Sequence, residues 1–412
     1  MAERASQPVL RLGFIGLGQA MNLILQRPWE IADLPFRFVA GADPRTSARE
    51  RFEQDFDGRS YATAEELCDS GEVDVVYIAT GPELHREHAL LAAGSGKHMV
   101  VEKPLALTLD ECAEMAAAAE RHGVLLLAGH THSFGAPYRR MAEIVHGGEL
   151  GELVMVNSWM YNEFNVRPWP TAELVSTRGP LLNQGPHQVD IARQIGGGVA
   201  RSVRAQTFWD PLRGCPGGYS ALLQFEGGAT ASLVLDARGY FDVAELYDWI
   251  GEGGQPRDPD RSVTMHQNFQ AVAALGPEAR ERRFQEQKEL GRYGAEGASA
   301  EQWALWGYSF GQEHHQPFFG LTIASCERGA VRQSADGLYI YDQHQRREVT
   351  LGAEPPGRAA ELMELYEGVV NGRPLRHDGR WATGTVEVCL AIEESARSGQ
   401  EVPLTRQPAW AR

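Results

Sequence analysis

The first 130 residues alternate between two patterns. Short apolar runs occur at "LRLGFIG" (10–16), "FRFVAGAD" (36–43), "VDVVYIAT" (73–80), "KHMVVE" (97–102) and "GVLLLAGH" (123–130). Helix-like stretches separate them at 45–56, 62–70, 83–95 and 108–122. Strands joined in succession by helices run parallel, and a parallel sheet buries both faces under those helices. The pattern therefore predicts an α/β domain with a doubly wound parallel sheet. The last helical stretch, "ECAEMAAAAERHG", is rich in Ala and Glu and stops at glycine, which fits a helix with a glycine C-cap.

The turn after the first run reads Gly16-Leu17-Gly18-Gln19-Ala20-Met21. Two glycines of the dinucleotide fingerprint are in place. Gly16 permits a tight turn, and Gly18 lets backbone approach a pyrophosphate at the start of a helix whose first residues are Gln19 and Ala20. Met21 stands where a third small residue is usual. Asp43 ends the second run, 27 positions after Gly16, with a loop at 27–35 taking up the extra length. An acid there binds ribose hydroxyls and repels a 2′-phosphate, so NAD is expected. Arg45 keeps NADP open as an alternative.

At 412 residues the chain exceeds one typical core. Lys plus Arg number 39 against 55 Asp plus Glu, a net charge of −16 that opposes nucleic-acid binding. No apolar run approaches the ~18 residues of a membrane span. Residues 1–14 lead into the first strand without the apolar core of a leader, and the five cysteines are scattered with no CxxC, so a cytoplasmic location without metal is expected. After residue 150 the parallel rhythm stops. Residues 152–161 and 201–209 read as strands, and 219–237 as a hairpin around Glu226-Gly227-Gly228. Residues 255–315 read as a polar, partly helical insertion, and 358–372 and 385–399 as closing helices.

"GKHMVVEKPLALTLDEC" (96–112) resembles the Glu-Lys-Pro motif of the glucose–fructose oxidoreductase and inositol dehydrogenase (Gfo/Idh/MocA) family. The glycine turn, "ADPR" (42–45), "VYIATGPELHREHAL" (76–90) and "GPLLNQGPHQVDIARQIGG" (179–197) follow the same family in order. "GHTHSFGAPYRR" (129–140), "NQGPHQVDI" (183–191) and "SCERGAVRQSADGLYIY" (325–341) resemble in particular its phthalate 4,5-cis-dihydrodiol dehydrogenases. The resemblance implies a Rossmann domain at 1–130 and a substrate-binding and oligomerisation α/β domain at 131–412. That second domain would have a large, open, mostly antiparallel sheet, and the last helices would pack back on the first domain.

The resemblance also implies roles. Lys103, before Pro104, would reach the nicotinamide and the reacting hydroxyl, and His187 would take the hydroxyl proton. Thr80, His85 and Glu102 would line the cofactor. Sugar-oxidising members usually carry Asp-x-x-x-His where this chain has Asn183 and His187. An amide orients an imidazole without compensating its charge, so Asp190 is a second candidate partner. His130 and His132 would line the substrate pocket. Arg167 and Arg178 would bind ring carboxylates through planar guanidinium groups. Arg139 and Arg140 could add to them, and Trp169 could stack on a ring. The expected reaction is NAD-dependent oxidation of a cyclic cis-diol by a homodimer or homotetramer. The alternatives are a sugar or polyol dehydrogenase and a non-catalytic NAD-binding regulator.

Overall fold

A computed structural model of the chain describes residues 8–25, 33–295, 315–352 and 357–410. The expected loop at 27–35 and the end of the 255–315 insertion fall mostly outside them. The chain divides into two compact units. One takes in the described parts of Met1–His130 and Glu289–Ala298 together with Arg358–Thr383; the other takes in the rest.

The first unit holds a six-stranded parallel sheet of β1 (Leu10–Ile15), β2 (Phe36–Ala42), β3 (Arg59–Tyr61), β4 (Val75–Ile78), β5 (His98–Glu102) and β6 (Leu126–Gly129). Their order in space is β3-β2-β1-β4-β5-β6, the doubly wound arrangement whose direction reverses beside β1. Helices α1 (Gln19–Leu25), α2 (Thr46–Phe56), α3 (Ala64–Asp69), α4 (His85–Gly94) and α5 (Leu109–His122) connect the strands. Sequence explains their ends. Thr63 with Glu66 and Thr108 with Glu111 form capping boxes at α3 and α5. Gly123 closes α5 with φ +67°. β4 is buried at every residue, as a central parallel strand must be. Phe14 meets Phe38 edge-on at 4.8 Å, and Met21 is fully buried. The three-residue β3, "RSY", was not expected because it is too short and polar to show a period.

The second unit is built on a nine-stranded mixed sheet. Its strands are β7 (Leu153–Tyr161), β8 (Ala200–Asp210), β9 (Cys215–Phe225), β10 (Thr230–Asp236), β11 (Leu321–Cys326), β12 (Gly329–Ser334), β13 (Gly337–Asp342), β14 (Arg346–Thr350) and β15 (Val402–Pro403). Their order is β14-β13-β12-β11-β7-β10-β9-β8-β15, and only β7 with β10 pairs parallel. The expected hairpin is β9–β10, turned at Gly227 and Gly228 with φ +90° and +93°. Along β9, Tyr219, Ala221, Leu223 and Phe225 are buried while Ser220, Leu222 and Gln224 are exposed. Helices α6 (Ala136–His146), α7 (Thr171–Ser176), α8 (Pro180–Asn183) and α9 (Gly185–Gly196) follow the strand-to-helix switch, and α6, α8 and α9 pack on the sheet. The insertion supplies α10 (Arg261–Ala273) and α11 (Pro277–Leu290), whose Met265, Phe269 and Phe284 pack with Val166. Two helices close the chain, α12 (Gly357–Asn371) and α13 (Gly379–Ser398). No helix among the described residues is long and apolar enough to cross a membrane.

Candidate active site

In the first unit the glycine turn lies against the end of β4. Gly16 has φ +89°, and a Cβ there would sit 2.8 Å from Thr80 Cγ2 and 3.0 Å from Thr80 N. Among the described residues, a Cβ on Gly18 would meet within 4 Å only Ala79 O, at 3.9 Å. That pattern fits a phosphate-bearing ligand lying on bare backbone. Gly16→Ala combines a left-handed φ with a backbone collision. It is expected to cost about 1–3 kcal/mol of stability and to weaken NAD on the order of tenfold in a fluorescence titration.

Asp43 is buried, and its carboxylate braces the same turn. Oδ2 accepts from Leu17 N (2.9 Å), and Oδ1 accepts from Arg45 N (2.9 Å) and Arg45 Nε (3.0 Å). Arg45 also donates to Leu17 O (2.6 Å) and Tyr293 O (3.2 Å). The Arg45 guanidinium is thus bonded to Asp43 and to main-chain carbonyls. Arg45 is also the N-cap of α2.

His85 also takes a different place from the one expected. It is buried, with Nδ1 3.0 Å from Pro104 O and Nε2 3.1 Å from Thr80 O. Both ring nitrogens face protein carbonyls, and the one N–H of a neutral imidazole bonds one of them, so neither nitrogen is turned toward a cofactor. Burial pushes its imidazole below the ordinary histidine range. Thr80 Oγ1 lies 3.0 Å from His88 Nδ1. The Lys103–Pro104 bond held by His85 is cis, and Lys103 is half-buried.

Glu102, expected beside the cofactor, is buried in an ion pair instead. Oε1 accepts from Arg358 Nη1 at 2.7 Å and from Tyr77 OH at 3.1 Å, and Oε2 from Lys103 N at 3.2 Å. Burial alone would raise its carboxyl; Arg358 and then Lys103 outweigh that and hold it below the ordinary range. No sequence signal pointed to Arg358, which follows Glu102 by 256 residues.

In the second unit a strained entry precedes the His187 helix. Arg178 has φ +52°, and Gly179 has φ +61°. A Cβ on Gly179 would lie 2.5 Å from Pro216 O, so glycine is required there. Pro180 then opens α8 and Gln184 links it to α9. Gln188 pins α9 to the sheet: Nε2 donates to Ser158 O (3.0 Å) and Val234 O (3.0 Å), and Oε1 accepts from Tyr219 OH (2.7 Å). That anchorage sets His187, one residue earlier and 5% exposed, against His132. The two rings meet edge-on at 4.5 Å, and Phe319 lies 5.1 Å from His187 and 4.3 Å from His132. Phe319 and Gln188 were missed in the sequence.

Asn183 Oδ1 accepts from Gln184 Nε2 at 3.2 Å. Asp190 Oδ1 accepts from Thr385 Oγ1 at 3.0 Å, and Arg193 Nη1 donates to the same hydroxyl at 2.6 Å. Burial pulls the Arg193 guanidinium down to about 10, against the opposing charge of Asp190, so it stays charged at neutral pH. His130 and His132 lie beyond the last sheet strand of the first unit. β6 ends at Gly129, and residues 131–134 are turn.

The arginines expected to bind carboxylates are engaged within the protein. Arg167 is buried and donates from Nε to Glu163 Oε1 at 3.1 Å. Glu163, itself fully buried, also pairs with Arg257 and, at 3.0 Å, with Arg261. Burial would raise the Glu163 carboxyl; Arg257, Arg167 and Arg261 together hold it well below the ordinary range. A carboxylate of the protein thus sits where a substrate carboxylate was expected. Arg178 Nε pairs with Glu393 at 2.9 Å, half-exposed. Arg140 pairs with Glu143 at the surface, and Arg139 Nε donates to Phe134 O at 2.9 Å. Trp169 packs on Phe164 at 5.2 Å. Among the described residues no group of three or more His, Cys, Asp or Glu has metal-holding geometry.

Residues 10–130 match the family model described as an oxidoreductase family with an NAD-binding Rossmann fold, and residues 138–250 match the GFO/IDH/MocA C-terminal domain. The chain is 30% identical over 392 residues to a 1-carboxy-3-chloro-3,4-dihydroxycyclohexa-1,5-diene dehydrogenase of Comamonas testosteroni, covering 94% of this chain and 95% of that one. The chain belongs to the GFO/IDH/MocA oxidoreductase family. A solved chain from Bordetella bronchiseptica RB50 superposes with a TM-score of 0.85 at 31% identity, over 96% of this chain and all of that one. An aldose–aldose oxidoreductase of Caulobacter crescentus shares the fold at 19% identity, with a TM-score of 0.70 and 96% of this chain covered. As a GFO/IDH/MocA member the chain is an NAD(P)-dependent oxidoreductase whose first domain is the NAD-binding one. The bare turn at Gly16 and Gly18 and the acid at Asp43 fit that cofactor.

Proposed function

We propose that this chain oxidises a cyclic cis-dihydrodiol to the corresponding catechol, with NAD as oxidant. The observation that carries the reading is the aromatic setting of His187, whose ring is flanked by His132 and Phe319 at 4.5 and 5.1 Å. Flat rings beside a proton acceptor suit an unsaturated cyclic diol, with stacking and edge contacts available to its ring. The full-length relative is itself named for a dihydroxycyclohexadiene carrying one carboxylate.

Bound NAD supplies the hydride acceptor. His187 takes the proton of the reacting hydroxyl, and Lys103 hydrogen-bonds the oxygen as negative charge develops on it. The carbinol C–H pair leaves as hydride and the O–H proton goes to His187, leaving a hydroxyketone that enolises to the catechol. Aromatisation drives the step, so Asn183 suffices where sugar-oxidising relatives carry aspartate. Asn183→Asp is expected to move the acid limb of the pH–rate profile to higher pH, because a carboxylate near His187 favours its charged form. An unchanged profile would remove this account of the asparagine.

Asp43 with Arg45 favours NAD over NADP. With Arg167 bound to Glu163, a ring carboxylate would meet Arg178, whose half-exposed pair with Glu393 is readily exchanged. Trp159, Phe208 and Leu222 are exposed on the sheet, which supports a homodimer or homotetramer, checked by light scattering. A screen for NADH release across cis-dihydrodiols, with and without carboxylates, beside aldoses and inositols tests the substrate class. Turnover of dihydrodiols is expected, and turnover confined to sugars would overturn the reading.

A further inference from the structure

Helix α12 brings two charged residues to the loop that follows β5. Arg358 Nη1 donates to Glu102 Oε1 at 2.7 Å and also to Tyr77 OH, with its guanidinium 5.5 Å from the Tyr77 ring centroid. Tyr77 OH lies 2.9 Å from Glu361 Oε1 and 3.1 Å from Glu102 Oε1. Arg358 and Glu361 are 3.8 Å apart. Tyr77 and Glu361 are fully buried, and Glu102 nearly so.

We propose that Arg358 and Glu361 are positioning residues for Lys103. Bridged by Glu102 and Tyr77, they align its side chain as a hydrogen-bond donor and set its charge in opposite senses, Glu361 favouring the ammonium and Arg358 opposing it. This rests on the role given to Lys103 above, and it leaves proton acceptance to His187.

Two features carry the inference. The first is mechanical. Glu102 accepts from the N–H of Lys103 itself, so whatever fixes the Glu102 carboxylate fixes the backbone of the lysine. On the other side of the same loop, the buried His85 ring places Nδ1 3.0 Å from Pro104 O. The second is electrostatic. By residue count, two carboxyl groups, Glu102 and Glu361, face the one guanidinium of Arg358, an acidic excess of one. The Lys103 ammonium stabilises the ionised form of Glu102. The interaction is mutual, so Glu102 stabilises the ammonium. Among the described residues, the bonds and ion pairs above bring to the loop Glu102 on β5, Tyr77 on β4, His85 on α4, and Arg358 and Glu361 on α12. Tyr77 is held far toward its neutral phenol, chiefly by burial, and His85 toward its neutral imidazole, so neither alters the balance.

The two α12 residues therefore act on Lys103 in opposite senses. Glu361→Gln removes a negative charge and weakens the hold on the ammonium; Arg358→Met removes a positive charge and strengthens it. A purely structural cluster would not give opposite signs. The test is competitive acetylation of Lys103 against pH in the full chain with NAD, read by peptide mass spectrometry. The expected labelling midpoint falls by about 1 pH unit in Glu361→Gln, rises in Arg358→Met and stays near wild type in Arg358→Lys. The alkaline limb of kcat/KM should follow each. Unchanged midpoints, or shifts of the same sign in Glu361→Gln and Arg358→Met, would overturn the proposal. If Arg358→Met does not fold, the comparison of Glu361→Gln with Arg358→Lys decides. Labelling uses no substrate, so shifted midpoints without dihydrodiol turnover would count against the substrate reading alone.

Discussion

Replacing Lys103 with methionine is expected to lower kcat for dihydrodiol oxidation by about 10²–10³, the usual loss when one preorganised donor to a developing oxyanion is removed. Methionine keeps the length and apolar body of the side chain but removes the charge. NAD affinity should therefore stay within a few-fold of wild type, and KM should move less than kcat. An interaction made mainly in the transition state produces that split. Arginine should not rescue activity, because its planar fork cannot place one compact ammonium at the reacting oxygen. Single-turnover rates of NADH formation check the prediction. Equal rates for Lys103→Met and wild type would take Lys103 out of the chemistry.

The second large effect is on stability. Glu163→Ala is expected to destabilise the second unit by about 3–5 kcal/mol, because it leaves Arg167, Arg257 and Arg261 buried around a vanished counter-charge. For a unit of this size that corresponds to a fall in Tm on the order of 10 °C. The same network changes the meaning of Arg167. Bound to Glu163, it braces the loop before α7, so Arg167→Ala should cost stability without separating carboxylated from uncarboxylated dihydrodiols. Scanning calorimetry and paired KM values measure both. A stable Arg167→Ala variant that had lost only its preference for carboxylated rings would restore the role first expected from the sequence.

The parts of the molecule legible in the sequence are those whose signal is local. Strand runs joined by helices of full length showed the parallel sheet, and the glycine pair at 227–228 showed the β9–β10 hairpin. β3 was missed because three residues carry no period. The meander β11–β14 does not stand out in the sequence, and Gly329 and Gly337, which begin β12 and β13, are its one local mark.

The site divides in the same way. The Glu102-Lys103-Pro104 stretch and the segment ending in His187 stand out as contiguous motifs. Arg358 and Phe319 meet their partners only through the fold and leave no local trace. Arg167 does leave a local trace: Glu163 lies four residues before it, within reach of a buried ion pair. The place of His85 is hidden for a related reason. Sequence shows a histidine after a turn, but not that main-chain carbonyls occupy both of its ring nitrogens.

The most direct test of the dehydrogenase reading follows one hydrogen. A cis-dihydrodiol deuterated at its carbinol carbons is incubated with the enzyme and NAD, and both products are analysed by mass spectrometry. The expected result is one deuterium in the reduced nicotinamide for each catechol formed. Catechol without labelled NADH, or no catechol while a sugar is oxidised, would contradict it.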